Sequence, residues 1–203
     1  MSKIEQNREK KRRAIMEGAQ SIFLSEGYSM ASMDAVASKA GVTKQTLYRY
    51  FPSKMDLFDA TLRFIGESNN AQFSYYLKEP DTTHALLEFG YAFVRFHFSN
   101  DHLATLRLLI AEQAQAPEIV DRFFALGSDE SDEQLKQFFE TRFGVQNAGT
   151  LVDLWTGMLL APRMSILLGR QDMDESEIRV HVASATTLLL DAIIENRECS
   201  KGN

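Results

Sequence analysis

Two short helical segments joined by only Gly41-Val42-Thr43 constrain this chain more than any other feature. Ser32 caps the first, about Met33 to Ala40, whose apolar positions Met33, Val36, Ala37 and Ala40 follow helical spacing. Gly41 ends it, and Thr43 caps the second, about Lys44 to Phe51. Only Leu47 and Phe51, spaced i, i+4, face inward from that second segment. The pair has the length and turn chemistry of a helix-turn-helix. Lys44, Gln45, Thr46, Tyr48, Arg49 and Tyr50 bury too little to serve packing, so they are expected to touch a partner. In a DNA major groove glutamine addresses adenine, and arginine or lysine addresses guanine. Tyrosine and threonine hydroxyls donate to phosphates. On this pattern Gln45 and Arg49 are candidate base contacts, and Lys44 and Lys54 candidate phosphate contacts. The alternative is a solvated helical hairpin whose tyrosines close the core.

The rest of the chain also reads as helix. No stretch shows sustained period-2 alternation bounded by hairpin turns. Ile15, Ala19, Ile22 and Phe23 share one face of a helix from about Arg8 to Glu26, stopped by Gly27. Ser53 with Asp56 forms a capping-box pattern before a long helix from about Lys54 to Lys78. Further helices are expected at about 82–99, 102–114, 117–143, 147–169 and 174–197. The polar run Gly127 to Glu133 is a point of interruption in the third of these stretches, 117–143. The fold class is therefore all-α.

Charge is divided unevenly. Residues 1–56 carry ten Lys/Arg against six acids, whereas the remainder carries twelve against 22. A basic first quarter on an acidic body fits either a polyanion-binding end or an ordinary solvated helix. With 44% hydrophobic and 25% charged residues among 203, a largely disordered chain is excluded. Cys199 is the lone cysteine, so no internal disulfide forms, and no Cys/His cluster has zinc spacing. The basic start, Lys3 to Arg13, does not run into an apolar segment of the kind a secretory signal needs. The apolar stretch Leu151 to Leu168 carries Asp153, Pro162 and Arg163 and makes a poor membrane span. A cytoplasmic chain with no membrane partner is expected.

The run Ile22-Phe23-Leu24-Ser25-Glu26-Gly27-Tyr28, then Ser32 to Ala37, then Ala40 to Lys54 resembles the TetR family of bacterial transcriptional regulators. Thr43-Lys44-Gln45-Thr46-Leu47-Tyr48-Arg49-Tyr50-Phe51-Pro52-Ser53-Lys54 carries most of that signature. The resemblance implies a helix-turn-helix head over residues 1–53 and a helical effector-binding and dimerisation domain over residues 54–203. It implies a homodimer on palindromic double-stranded operator DNA, most often a repressor released by a small molecule. Carried over by position, Ser32 touches a phosphate. Thr43, Lys44, Gln45 and Thr46 enter the groove, Tyr48 lies on the backbone, and Lys54 grips phosphate. Ala31 stands where a hydroxyl is frequent, and Tyr50 where histidine is common.

Residues 57–143 hold twelve of the fourteen phenylalanines. Phe89, Phe93 and Phe96 form one stripe with His97 beside it. Together with Phe64 they fit either a cavity for an apolar or aromatic effector or solid core. Polar groups placed to reach such a cavity are His97, Gln113, Arg95 and Arg163, with Trp155 and Met158 on its far wall. The 174–197 segment bears two apolar stripes about 200° apart. One is Ile178, Val182, Ala185, Leu189 and Ala192; the other is Val180, Ala183, Thr187, Leu190 and Ile194. Burial on both sides fits either a homodimer through helices 147–169 and 174–197 or a helix central to a large monomer, and the homodimer is expected. Two rivals remain, an all-helical enzyme and a non-inducible architectural DNA-binding protein. His84 and Glu88 could place two metal ligands on one face, but no second pair and no Gly-rich phosphate loop accompanies them. No catalytic residue, metal or cofactor is expected.

Overall fold

The computed structural model describes residues 2–127, 129–145 and 148–201, with side chains at 2–66, 75–126, 132–145 and 148–195. Every regular element among them is helical, as the spacing predicts. The helices are α1 (Lys3–Glu26), α2 (Met33–Lys39), α3 (Lys44–Tyr50), α4 (Lys54–Tyr76), α5 (Thr82–His97) and α6 (Asn100–Glu112). There follow α7 (Glu118–Gly127), α8 (Asp129–Phe143), α9 (Gly149–Leu159), α10 (Arg163–Leu167) and α11 (Glu175–Lys201). No helix among the described residues is long and apolar enough to cross a membrane.

Packing divides the chain into two units, each discontinuous in sequence. The first comprises Met1–Ser68 and Ala104–Ser128. Its core gathers Ile15, Met16, Ala19 and Phe23 from α1, Val36 and Ala37 from α2, and Leu47 from α3. Leu57 and Phe58 of α4, Leu108 and Leu109 of α6, and Ile119 of α7 complete it. Phe23, Tyr28 and Phe58 form an aromatic triangle with centroids 5.1–5.7 Å apart. α1 begins at Lys3, five residues before the expected start at Arg8. Ser2 and Glu5 make a reciprocal capping box: each side chain takes the other residue's backbone N–H. Gly18 lets α1 approach α2, since a Cβ there would lie 3.3 Å from the Ala40 Cβ. Gly41 turns the chain at φ +65°, so that Val42 N–H reaches Ala37 O at 3.0 Å.

The second unit comprises Asn69–Leu103 and Asp129–Asn203. Leu86, Phe89 and Val94 of α5 pack with Leu135 and Phe139 of α8 and Val152, Trp155 and Leu159 of α9. From α11 come Ile178, Val182, Ala185, Leu189 and Ile193. The expected 147–169 helix is broken into α9 and α10 by Pro162, which has no N–H for the Met158 carbonyl four residues back. His181 Nε2 donates to that carbonyl at 3.0 Å and to Leu159 O at 3.1 Å. The expected 117–143 helix is likewise two helices, α7 and α8; residue 128 between them lies outside the described residues.

Candidate nucleic-acid interface

α3 is built to be held from behind and left open in front. The Thr43 hydroxyl accepts the Thr46 N–H at 3.2 Å, satisfying one orphan donor of the first turn. Leu47 is fully buried and Phe51 nearly so, as their i, i+4 spacing predicts. Lys44, Gln45, Tyr48 and Arg49 are exposed, while Thr46 is half-buried. Lys44 Nζ donates to Asp34 Oδ2 at 2.9 Å, and that hydrogen bond raises the ammonium pKa. The exposed Ser32 hydroxyl accepts the Ala35 N–H at 3.1 Å as the cap of α2, which leaves its own O–H free to donate outward.

Two expected contacts are placed otherwise. Lys54, assigned to a phosphate, is half-buried beneath the loop before α2. Its Nζ donates to Tyr28 O at 2.7 Å, Ser29 O at 3.1 Å and Ala31 O at 3.0 Å. An ammonium has three donors, and all three are committed. Lys54 therefore positions the loop that starts α2. The same loop is held from another side by Glu112, whose carboxylate accepts the Ser29 N–H at 3.0 Å and also the Ser29 hydroxyl. Tyr50 turns its phenol back toward α1, donating to Arg8 O at 3.4 Å.

The expected effector residues are divided between the two units. Phe64 packs against the core of the first unit, with the Arg13 guanidinium 5.5 Å over its ring. Gln113 is exposed in the turn after α6, in that same unit. Both belong to the first unit, whereas Phe89, Phe93 and Phe96 belong to the second. In the second unit the stripe does assemble: Phe89 stacks on Trp155 and on Phe93, each at 5.9 Å. Met158 packs against the same core, and exposed Arg95 pairs with Glu175 at 3.1 Å.

Beside the stripe sits a pair of histidines. His97 lies 4.0 Å from the Phe93 ring and 5.1 Å from that of Phe96. His102 lies 4.8 Å from both Phe96 and His97. His97 Nδ1 donates to Phe93 O at 2.8 Å, which fixes its tautomer. Burial pushes His97 down to about 3, helped by His102 and Arg163. Burial, then Arg163, pushes His102 down to about 4. Sequence spacing did not single out His102, because residues 98 and 99 break the helical period between it and His97. Glu88 of the His84–Glu88 pair takes Arg179 on its Oε1 at 3.6 Å, and no group of three His, Cys, Asp or Glu side chains placed to hold a metal ion occurs among the described residues.

A capped, outward-facing second helix on a compact helical head defines a helix-turn-helix DNA-binding protein. Residues 15–61 match the family described as bacterial regulatory proteins, tetR family. Residues 84–192 match the AefR-like transcriptional repressor C-terminal domain. The chain belongs to the TetR family, whose members are non-enzymatic DNA-binding transcriptional regulators. The HTH-type transcriptional activator FasR of Mycolicibacterium smegmatis is 39% identical over 56 residues, which cover 28% of this chain and 26% of FasR. The chain thus spans about a quarter of that curated relative, and about half of others it matches. A TetR-family regulator from Mesorhizobium loti superposes with a TM-score of 0.77 at 21% identity, over 95% of this chain and 98% of that one. The flavonoid-responsive regulator FrrA superposes at 0.73 with 26% identity, over 90% and 96%.

Proposed function

We propose that this chain is a dimeric transcriptional repressor that leaves a palindromic operator when an apolar or amphipathic small molecule binds its second unit. The observation that carries the reading is α3, a seven-residue helix with its apolar pair buried and its polar face open. Thr43, Lys44, Gln45 and Thr46 enter the major groove, with Gln45 reading adenine. Ser32 and Tyr48 donate to phosphates. Residues 1–53 read DNA; residues 54–203 bind the effector and dimerise, in the cytoplasm. Repression is supported by the likeness of residues 84–192 to a repressor's C-terminal domain.

An aromatic effector is supported by two buried groups of the second unit without a hydrogen-bond partner among the described residues, the Trp155 indole N–H and the Thr186 hydroxyl. A ligand carrying acceptor oxygens would satisfy them. The likeness to a flavonoid-responsive regulator points the same way. The test is enrichment of duplexes from a random pool by the wild-type chain, followed by titration. The winners should be palindromes with half-sites about 34–36 Å apart. Gln45→Ala should cost about 1–3 kcal/mol and relax one operator position. Unchanged affinity and preference would remove α3 from the groove. Repeating the titration with a panel of flavonoids and other apolar compounds tests release: Phe93→Ala should change the response while keeping ligand-free affinity.

Dimerisation is supported by an apolar face that the second unit leaves open. Val180, Leu188 and Ile194 of α11 are 68%, 62% and 54% exposed, and Leu154 of α9 is 60% exposed. The opposite face of α11 is spent on its own core. Leu190, of the stripe expected at the interface, packs partly on that core. Leu188 is therefore the cleaner probe, and Leu188→Glu should weaken the dimer at least about a hundredfold by placing an unpaired charge in it. Sedimentation should then show a 23.0 kDa monomer that has lost operator binding. A wild-type chain already monomeric at micromolar concentration overturns the dimer.

A further inference from the structure

We propose that the first turns of α1 and the end of α3 form a second phosphate-binding groove, which grips the DNA backbone bordering the major groove. Ile4, Asn7, Arg8 and Lys11 of α1 line it with Arg49 and Tyr50 of α3, around about 540 Å³. Positions 4, 7, 8 and 11 are one face of a helix. That face carries two cations, and the facing α3 wall adds Arg49; no acid lines the groove.

The acids of α1 are occupied elsewhere. Glu5 closes the capping box, Glu9 lies 3.9 Å from Arg12, and Glu17 takes Arg13 at 2.9 Å. Among the described residues, no acidic partner is recorded for Arg8, Lys11 or Arg49. Residues 2–11 are all exposed, so this length of helix contributes nothing to the core. It is nonetheless held in place: the capping box fixes its start, and the Tyr50 phenol ties α3 to Arg8 O. A rigid, unneutralised cationic face is what a polyanion requires.

The occupant follows from the length of α3. Seven residues at 1.5 Å rise span roughly 10 Å, close to the major groove width of about 12 Å. With the N-terminal residues of α3 at the base edges, its C-terminal end reaches the phosphates on the groove's border. The groove opens at that end. Arg49 is thereby a phosphate contact, not the base contact its residue type alone suggests. This inference rests on α3 being the reading helix.

The experiment uses the full chain with two 40-base-pair duplexes, one enriched by the wild type from a random pool and one of unrelated sequence, between 50 and 200 mM KCl. Removing two phosphate contacts should lower the slope of log affinity against log salt by about 1.8. Arg8→Ala with Lys11→Ala should therefore lose about twelvefold less affinity than wild type across that range, on both duplexes. Base preference should not change, and Arg8→Lys with Lys11→Arg should restore the slope. Both side chains are exposed, so an unchanged melting temperature is expected of every variant. An unaltered slope in the double alanine variant overturns the groove and leaves the reading helix standing. Unaltered preference in Gln45→Ala overturns the reading helix instead.

Discussion

Lys54→Met is expected to destabilise the chain by about 3 kcal/mol while leaving the salt dependence of DNA binding unchanged. The methionine keeps the aliphatic stem and removes only the ammonium. Three carbonyls, those of Tyr28, Ser29 and Ala31, then lose their charged donor. The ammonium also stands 4.6 Å from the centre of the Tyr28 ring. Hydrogen bonds to a charged group contribute about 1.5–3 kcal/mol each when buried; Lys54 is only half-buried, which discounts the sum to about 3. For a chain of this size, that lowers the melting temperature by roughly 6–12 °C. Operator affinity should fall as well, because the loop being held carries Ser32. Titration at several salt concentrations separates the two roles. A slope shallower by about one unit, with an unchanged melting temperature, would put Lys54 on a phosphate after all.

Acid is expected to weaken the protein through His97 and His102. Their folded values, about 3 and about 4, lie below the value near 6.5 of an unfolded histidine. At pH 7 both are neutral, folded or unfolded, and the contribution is fully present. As pH falls below about 6.5 the unfolded chain takes up protons that the buried pair does not, so stability drops with pH. At pH 5 each histidine accounts for about 2 kcal/mol, 1.5 units at 1.36 kcal/mol each, or about 4 together. The loss continues until the folded values are reached. Urea midpoints at pH 7 and pH 5 measure it. The difference should shrink by about half in His102→Gln and nearly vanish when His97→Asn is added. An equal drop in the double variant would locate the acid sensitivity elsewhere.

What the sequence showed plainly was whatever local chemistry decides. Gly27 and Gly41 stop their helices at φ +83° and +65°, and Ser32 and Thr43 cap the next ones. Leu47 and Phe51 face inward as their spacing requires. The first turns of α1 were missed because Lys3 to Arg13 has only Ile4 as an apolar residue, so no hydrophobic period exists to read. Their helix comes from the Ser2–Glu5 cap and intrinsic propensity instead. The carbonyl partners of Lys54 were not legible because a lysine at a helix start looks the same whether it meets a phosphate or three carbonyls. Phe64 was grouped with Phe89 because both belong to one aromatic-rich stretch. Composition along a chain does not say at which residue a long helix such as α4 leaves one core for another.

The discontinuity of the first unit limits how this regulator can be taken apart. A fragment ending at residue 53 would carry the whole of α3, yet it would lack Phe58, the third side of the aromatic triangle. Leu108, Leu109 and Ile119 would be missing from beneath it, and Glu112 from the loop before α2. Grafting those 53 residues onto a foreign body would transplant the exposed face of α3 without its foundation. A workable chimera has its seam past residue 68 and brings residues 104–127 across as well. In this chain α3 and the later helices that share its core form one packed unit, so the surface of α3 is more readily altered by substitution within it than by exchange of residues 1–53.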